Sequence, residues 1–260
     1  MRSVFILILS SLSVLVLICF NGASHGQAEV QTDDNNSTSS FAVVELFTSE
    51  GCSSCPPADK LLGEIVANAR DNKKPVFALA FHVDYWDYIG WKDPYAKKAF
   101  SGRQQRYAQA FRLNRIYTPQ MIVNGTEEFV GSNRAKARAN IESALKKSAD
   151  FTLFLEKSGS KESNQLEIEY NLSKLPEDAV LNLALVERGL VQNIKRGENS
   201  GMKLHHENVV RSFSSSDLKM QTGRIILKLP SSVDLDNCSI IGYVQNLSTM
   251  AVLAASGVEM

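Results

Sequence analysis

The sequence lacks any excess of charge, because 28 lysines and arginines are balanced by 28 aspartates and glutamates among 260 residues. A chain with no net charge has no electrostatic attraction for phosphate backbones or anionic lipids. We therefore expect no nucleic-acid partner and no membrane partner beyond an export signal. No basic run, acidic tail or repeat period departs from this even pattern, and the hydrophobic fraction of 44% is ordinary for a globular protein.

Long apolar runs are also lacking, except for one over residues 4–20. Arg2 precedes this run and small or polar residues follow it, which is the pattern of a secretory signal peptide. Serines interrupt the run, which is short of the ~20 apolar residues that a spanning helix needs, so cleavage is favoured over an uncleaved anchor. We expect a signal peptide over residues 1–28, a disordered polar leader over residues 29–40, and export to the periplasm or the extracellular space.

Cysteine is scarce, with four residues in the chain. Cys19 is removed with the signal peptide, which leaves Cys52, Cys55 and Cys238. Three cysteines are too few for a network of stapling disulfides, so one pair and one free thiol are expected. Because an exported protein meets an oxidising compartment, the pair is expected to form a disulfide, and Cys238, which precedes an apolar strand, to be a buried free thiol.

The first half of the mature chain alternates strand-like and helical patterns, which predicts an α/β domain over residues 41–150. Apolar runs at residues 41–47 and 75–83 flank a segment with apolar residues at helical spacing. Asn124-Gly125 is typical of a hairpin turn. Further predicted elements are a helix over residues 95–113, a third strand from Thr118, a fourth strand over residues 127–130, and a helix that Ser132 caps and that ends near Lys147.

The second half changes in texture, and residues 151–260 are predicted to form a smaller, sandwich-like all-β domain. Residues 166–170 alternate strictly between apolar and polar side chains, and no convincing helix intervenes. The strand-like runs are residues 151–156, 165–172, 179–187, 224–229 and 239–244.

The Cys52-Ser53-Ser54-Cys55 motif joins a predicted strand to a predicted helix. A helix start supplies free N–H groups and a positive dipole end, which favour a thiolate at the first cysteine. Pro56-Pro57 keep regular helix from starting before about residue 54, so this effect on Cys52 is expected to be modest. Cys52 is predicted to be the exposed attacking sulfur and Cys55 its shielded resolving partner. A half zinc site or an inert structural disulfide are the alternatives, and no second ligand pair completes a zinc site.

Pro119 opens the third predicted strand. In a thioredoxin-like domain a proline at this place lies across from the CxxC motif, usually after a cis bond. The order of elements therefore predicts that the Thr118-Pro119 bond is cis and that both residues belong to the site. A trans turn proline is the alternative.

The segment after the second strand is rich in aromatic and titratable residues. His82 and Asp84 are two positions apart on a strand and are expected to point to one face, where either could move protons for the cysteine pair. Each could equally hold a structural hydrogen bond. Trp86 belongs to an aromatic loop that could cover a ligand or pack against the second domain. The polar group around His206 is expected to lie on a solvated or interdomain face.

Four blocks of the sequence resemble an uncharacterised bacterial family of secreted thioredoxin-like proteins, catalogued as domain of unknown function 1223. The blocks are residues 43–59, 81–94 and 117–125, and a fourth set comprising residues 197–199, His206 and residues 209–211. The resemblance covers nearly the whole mature chain. It implies a thioredoxin-like fold, here a mixed sheet with flanking helices, and bacterial export, but it implies no substrate.

The leading hypothesis is an extracytoplasmic thiol–disulfide oxidoreductase that needs no metal or other cofactor and acts on protein or small-molecule thiols and disulfides. The Cys52 thiolate would attack a substrate disulfide and Cys55 would resolve the mixed disulfide. One alternative is a non-enzymatic secreted binding module with a structural disulfide. Another is a copper carrier that uses both cysteines with His82 or Met121, since soft thiolates suit Cu(I).

Overall fold

The computed structural model describes residues 40–158 and 164–260. The predicted signal peptide and residues 29–39 of the predicted leader lie outside the described residues. Within the described part of the chain, no helix has the length and apolar character needed to cross a membrane.

The first half contains the predicted order of elements: strand, helix, strand, helix, two strands, helix. Residue 133, not Ser132, caps the third helix, because the Asn133 side chain accepts a hydrogen bond from the backbone N–H of Lys136 at 3.0 Å. The elements are β1 (Ala42–Thr48), α1 (Pro56–Asp71), β2 (Val76–His82), a 3-10 helical turn (Asp84–Ile89), α2 (Lys98–Ala110), β3 (Gln120–Val123), β4 (Glu127–Val130) and α3 (Arg134–Ala144).

The second half consists of strands and one short 3-10 turn, as far as it is described. Several strands that the sequence patterns predict are present, and four more (β8, β9, β10 and β13) join them. The elements are β5 (Leu153–Ser158), β6 (Gln165–Leu172), β7 (Ala179–Glu187), β8 (Leu190–Asn193), β9 (Lys203–His206), β10 (Val209–Asp217), β11 (Thr222–Lys228), a 3-10 turn (Leu235–Asn237), β12 (Cys238–Asn246) and β13 (Val252–Glu259).

Strands of both halves share one mixed sheet of eight strands, in the order β13-β12-β7-β10-β2-β1-β3-β4. The halves meet where β10 runs parallel to β2, with Val209 opposite Ala80. Asn208 strengthens this join, because its backbone carbonyl accepts from Ala80 N at 2.9 Å and its side chain donates to the Ala78 carbonyl at 2.8 Å. The sheet therefore continues across residue 150, and the predicted division into two domains at that point is not confirmed.

Every residue of β1 is buried, since helices and strands cover both faces of the sheet there. One face packs against α1 and α3 through alternate residues, which include Leu46 of β1 and Ala80 of β2. The opposite face packs against α2 through Phe47 and Phe81. Successive side chains of β1 and β2 point to opposite faces of the sheet. Each side chain at the strand ends therefore faces either α1 and α3 or α2.

A second sheet, β11-β6-β5, packs its apolar face against the β7 and β12 part of the large sheet. Leu155 and Ile168 of the small sheet share a core with Leu183 and Ile240 of the large one. This two-layer packing is sandwich-like, as the alternating pattern of β6 predicts, but one of its layers belongs to the mixed sheet. β8 and β9 form a separate two-stranded hairpin.

A buried ion pair ties the halves together on the α2 face. Arg103 donates from Nε and a terminal nitrogen to the two carboxylate oxygens of Glu45, at 2.6 and 2.8 Å. The Tyr107 hydroxyl donates to the same carboxylate at 2.6 Å, and Gln245 of β12 accepts from Arg103 at 2.9 Å. Four aromatic rings lie within 5.6 Å of the guanidinium carbon, from Phe81, Tyr107, Phe213 and Tyr243.

Candidate functional site

The cysteine pair lies where β1 passes into α1. Cys52 and Cys55 form a disulfide with their Cα atoms 5.4 Å apart, and Cys55 is the N-cap residue of α1. Pro56 and Pro57 occupy the first helical positions, where a missing N–H costs nothing. Helix therefore starts after Cys52, as the prolines predict.

Both sulfur-bearing residues are fully buried, so the predicted exposure of Cys52 is wrong for the disulfide form. A segment from the second half of the chain, residues 197–199, which we call the cap, is hydrogen-bonded to the backbone of the cysteine loop. The Asn199 side chain donates to the carbonyls of Glu50 and Cys52, at 2.8 and 3.1 Å, and Glu198 accepts from Ser53 N at 3.1 Å. The cap lies between β8 and β9, which the sequence patterns did not reveal as strands.

The Thr118-Pro119 bond is cis, as predicted. The indole N–H of Trp86 donates to the Thr118 hydroxyl at 2.7 Å, and the Cβ of Trp86 lies against the backbone of Gly51. Trp86 thus connects the loop before the cysteines to the loop before β3. A direct contact between Pro119 and the disulfide stays a prediction.

His82 lies at the end of β2, fully buried, on the layer that faces α1. Its Nδ1 is 2.7 Å from a carboxylate oxygen of Asp93, which also accepts from Glu50 N at 2.9 Å. Burial alone would lower the pKa of His82, but the charge of Asp93 and this hydrogen bond raise it above its ordinary value. The pKa of Asp93, which burial would raise, is lowered by the same partner.

Asp84 does not share the His82 face, so the predicted pairing of the two residues is wrong. β2 ends at His82 and the chain turns into the 3-10 turn at Asp84, which breaks the alternation on which the prediction depends. The side chain of Asp84 instead faces α2. The Ser101 hydroxyl donates a hydrogen bond to the Asp84 carboxylate and accepts one from the Asp84 backbone N–H.

His206 is buried next to His82, so it does not lie on a solvated face. It contacts residues of the first half of the chain, which agrees with the other expectation, a face between the halves. The two imidazole centres are 5.0 Å apart, and His206 Nε2 is 3.1 Å from a carboxylate oxygen of Glu50. The other oxygen of Glu50 accepts from the Trp91 indole at 2.7 Å. Glu50 precedes Cys52 by two residues, so this contact connects the second half of the chain to the cysteine loop.

Asp59 adds a third carboxyl group to this region, one helical turn after Cys55. It is buried on the same stripe of α1 as Leu62 and Val66. Burial raises the pKa of Asp59 above its ordinary value, while the charges of His206 and His82 oppose that rise. Asp59 is therefore a carboxyl group that holds its proton to higher pH than an exposed aspartate does.

Three buried polar atoms around Asp59 have no hydrogen-bond partner among the described residues: Thr48 Oγ1, His82 Nε2 and His206 Nδ1. Thr48 and His82 are paired across β1 and β2, so their side chains lie on the same face of the sheet. Such atoms are costly to bury unless they serve a purpose or bind water. We call the six residues Thr48, Glu50, Asp59, His82, Asp93 and His206 the proton cluster.

Among the residues that the structure describes, no group of three or more His, Cys, Asp or Glu side chains is placed to hold a metal ion. The two cysteines of the copper hypothesis are bonded to each other, and Nδ1 of His82 is paired with Asp93. The proton cluster does contain five side chains that can bind a proton, three with carboxyl groups and two with imidazoles.

Sequence reasoning identified the disulfide, the proline and His82, but it gave no role to Glu50, Asp59, Asp93 or Asn199. Asp59 had a readable signal, because it is an acid at helical spacing within the apolar stripe of α1. Glu50 and Asn199 lie in blocks that resemble the family, but nothing in the sequence indicated their contacts, since their partners are about 150 residues distant and follow only from the tertiary fold.

Residues 43–245 match the model of a family described as protein of unknown function (DUF1223). Among solved structures, protein AGR_C_4864 from Agrobacterium tumefaciens is similar, with 25% identity, a TM-score of 0.63, and coverage of 85% of this chain and 94% of that chain. A domain of the outer membrane lipoprotein Omp28 from Porphyromonas gingivalis aligns at 13% identity over 43% of this chain and 96% of that chain, but its TM-score of 0.28 is too low to establish a common fold. No curated protein matches the chain.

Proposed function

The chain belongs to the DUF1223 family, whose function is unknown, and we propose that it is an exported, thioredoxin-like thiol–disulfide oxidoreductase with Cys52 and Cys55 as its redox centre. The observation that carries the proposal is the disulfide at the N-terminal end of α1, with buried carboxyl groups close to it in the chain: Glu50 two residues before Cys52 and Asp59 one helical turn after Cys55. A disulfide that served only to staple the fold would need no such groups. The cis Thr118-Pro119 bond at the start of β3 is consistent with a thioredoxin-like domain.

In the proposed reaction the disulfide and a substrate dithiol exchange oxidation states. A substrate thiolate attacks Cys52 and forms a mixed disulfide, and the bond to Cys55 breaks. A second substrate thiolate then releases Cys52, so the substrate becomes oxidised and the protein reduced. The reverse sequence reduces a substrate disulfide, with Cys52 attacking and Cys55 resolving.

Both cysteines are buried, so the proposed reaction needs local opening, and the cap, which is bonded to the Cys52 carbonyl, is the segment that moves in this proposal. It is attached to the cysteine loop by three hydrogen bonds, two from Asn199 and one to Glu198. Net contributions of about 0.5–1.5 kcal/mol per hydrogen bond make such a segment removable by thermal opening or by a docking partner. The proposed enzyme therefore reacts from an open state.

A second candidate is a binding module with a structural disulfide, and the complete burial of both cysteines favours it. The two candidates differ in one measurable property. An exchange centre reacts while the protein is folded, whereas a structural disulfide is reduced only when the chain unfolds.

The test is reduction of the folded protein by dithiothreitol, followed by trapping with an alkylating agent and mass spectrometry of each cysteine. We expect Cys52 and Cys55 to become labelled under conditions where circular dichroism shows a folded chain, with Cys52 labelled first. Cys238 is the internal control and should stay unlabelled, because it is buried in the same protein. Labelling of all three cysteines together, at the rate of unfolding, would favour the binding module.

A further inference from the structure

Although the whole chain has no net charge, one long stretch of it carries charge of a single sign. Residues 94–126 contain six lysines and arginines and no aspartate or glutamate. The stretch comprises α2, β3 and the loops on either side of them. It includes Thr118 and Pro119, so it leads into the proposed redox centre.

Two of the six cations are engaged within the protein. Arg103 is buried and paired with Glu45, and the Lys97 side chain donates to the backbone carbonyl of Arg211. The other four are exposed, and none of them forms an ion pair with any residue that the structure describes. We call these four the basic surface: Lys98 and Arg106 on α2, and Arg112 and Arg115 in the loop after it.

α2 and this loop are fixed to one another, so the basic surface has a defined place in the fold. The Gln104 side chain of α2 donates to the Tyr117 carbonyl at 2.7 Å and to the Gln120 side chain at 2.9 Å. Lys98 and Arg106 are eight positions apart, slightly more than two helical turns, and both lie on the solvent side of α2. The loop with the other two cations is therefore held against the helix that carries these.

The loop of the basic surface leads to the cysteines through two contacts. Arg115 precedes Thr118 by three residues, and the Thr118 hydroxyl accepts from the Trp86 indole at 2.7 Å. Trp86 in turn lies against Gly51, the residue before Cys52. A partner bound to the basic surface thus also meets the segment that adjoins the disulfide.

We propose that the basic surface docks an acidic segment of a polypeptide substrate, a role that rests on the proposed oxidoreductase function. Unpaired cations of one sign attract and orient a partner of the opposite sign. A partner that also exchanges with the disulfide must itself carry a thiol or a disulfide, which a polypeptide has and a nucleic acid or a lipid surface lacks.

The spacing of the cations specifies the spacing of the acids. Lys98 and Arg106 are about 12 Å apart along α2, at a rise of about 1.5 Å per residue. An extended polypeptide advances about 3.3–3.6 Å per residue, so acidic residues three or four positions apart match these two cations.

The docked polypeptide supplies both thiolates of the exchange. The first attacks Cys52, and the bond to Cys55 breaks with its electron pair on the Cys55 sulfur. The second releases Cys52, so the substrate is oxidised by two electrons to a disulfide and the protein is reduced by two. Solvent takes the protons of the substrate thiols and returns protons to the two cysteines.

The first experiment measures docking without chemistry. Three short fluorescent peptides carry serine in place of cysteine and differ only at positions four apart, which hold glutamate, serine or lysine. Fluorescence anisotropy with the oxidised protein should show that the glutamate peptide binds about tenfold more tightly than the serine peptide, and the lysine peptide more weakly than either. Salt at 1 M should remove the difference, because it shortens the screening length to about 3 Å.

The double variant Arg106→Glu with Arg115→Glu reverses two charges of the basic surface, so it should prefer the lysine peptide. Lys146→Glu with Lys147→Glu is the matched control. It changes the net charge equally at exposed positions just after α3, which packs on the opposite face of the sheet from α2. The control should keep the preference of the wild type for glutamate.

The second experiment uses the same peptides with their cysteines, in the reduced state, and measures how fast each reduces the Cys52–Cys55 bond per peptide thiolate. With the wild type and the control, the glutamate peptide should react about tenfold faster than the serine peptide. With Arg106→Glu and Arg115→Glu it should react more slowly than the serine peptide. Dithiothreitol, which is a small uncharged dithiol, should reduce all three proteins at one rate.

The outcomes separate the two proposals. If neither dithiothreitol nor any peptide reduces the folded wild type, the proposed function is wrong and the basic surface docks no redox substrate. If dithiothreitol reduces the folded protein but the glutamate peptide fails to bind more tightly or to react faster than the serine peptide, the acidic substrate is wrong and the oxidoreductase proposal stands. An equal loss of preference in the control variant would also contradict the assignment to the basic surface.

Discussion

The molecule buries two polar clusters on opposite faces of its large sheet, and they differ in what holds their charge. On the α2 face, Glu45 meets the guanidinium of Arg103, whose charge is permanent. On the α1 face, the proton cluster contains three carboxyl groups and two imidazoles, and no arginine or lysine. Its positive charge exists only when an imidazole binds a proton.

The two clusters also differ in hydrogen bonding. Both oxygens of Glu45 accept from Arg103, and Tyr107 and Gln245 complete the arrangement. In the proton cluster three buried atoms lack partners among the described residues, against one beside Arg103, the Tyr243 hydroxyl. A satisfied pair of permanent charges fixes one structure, whereas a titratable group with free positions can change its protonation state without breaking a bond. Only the second cluster includes residues next to the disulfide in the chain, Glu50 before Cys52 and Asp59 after Cys55.

The largest expected effect is on stability, from Arg103→Met. This change leaves the Glu45 carboxylate buried without its partner, which should lower the free energy of unfolding by about 3–5 kcal/mol. Urea denaturation measures the loss. The double variant Glu45→Gln with Arg103→Met should recover most of it, and disulfide reduction should stay at the wild-type rate in the folded fraction. A loss of stability below about 1 kcal/mol would show that the pair is not the structural anchor.

Asn199→Ala should have the next largest effect, on the cap. It removes two hydrogen bonds that hold the cap to Glu50 and Cys52. Each hydrogen bond contributes roughly 0.5–1.5 kcal/mol, so without the two bonds the open state should be populated about tenfold more. Reduction of the disulfide should become faster by the same factor. Asn193→Ala, at an exposed position of the same hairpin, is the control. A slower or unchanged reduction would mean that the cap does not gate the disulfide.

Asp59→Asn should change how stability depends on pH. Because burial raises the pKa of Asp59 in the folded state, the folded chain holds this proton at pH values where the unfolded chain, near the ordinary 3.8, has lost it. Stability therefore falls as pH rises from this ordinary value through the folded-state value, by about 1.4 kcal/mol for each unit of elevation. The variant should lack this component. Identical slopes in urea titrations of both proteins would contradict the assigned burial effect.

The smallest effect is expected at Cys238, which packs outside both clusters. Burial raises the pKa of its thiol to about 12, so it stays neutral and unreactive at physiological pH. Cys238→Ala should leave the reduction profile of the disulfide unchanged. Any change in that profile would extend the redox site to β12.

The sequence predicted the strands whose apolar residues form a regular pattern. It did not predict strands that form only because they pair with neighbouring strands. The alternation in β6 and the apolar run of β7 gave the observed bounds, Gln165–Leu172 and Ala179–Glu187. β10 was missed because its serine-rich sequence has little strand propensity, although pairing with β7 and β2 holds it in the sheet. That missed pairing is also why the continuity of the sheet across residue 150 was not predicted.

The site shows the same division. The CxxC motif, the strand before it and the helix after it are neighbours in sequence, and the cis bond at Pro119 followed from the order of elements. The cap and His206 come from residues about 150 positions later, and although they belong to the fourth block that resembles the family, no local pattern indicates their contact with the cysteine loop. Exposure of Cys52 was predicted wrongly because burial depends on the tertiary packing around the loop, which the local sequence does not show.

The most direct test of the central claim is the reduction potential of the Cys52/Cys55 pair in the folded protein, measured against a glutathione or dithiothreitol buffer. The proposed exchange centre predicts a potential between about −120 and −270 mV, the range of thiol–disulfide oxidoreductases. A potential below about −300 mV would contradict it, since the bond would then be a structural disulfide beneath a permanent cap.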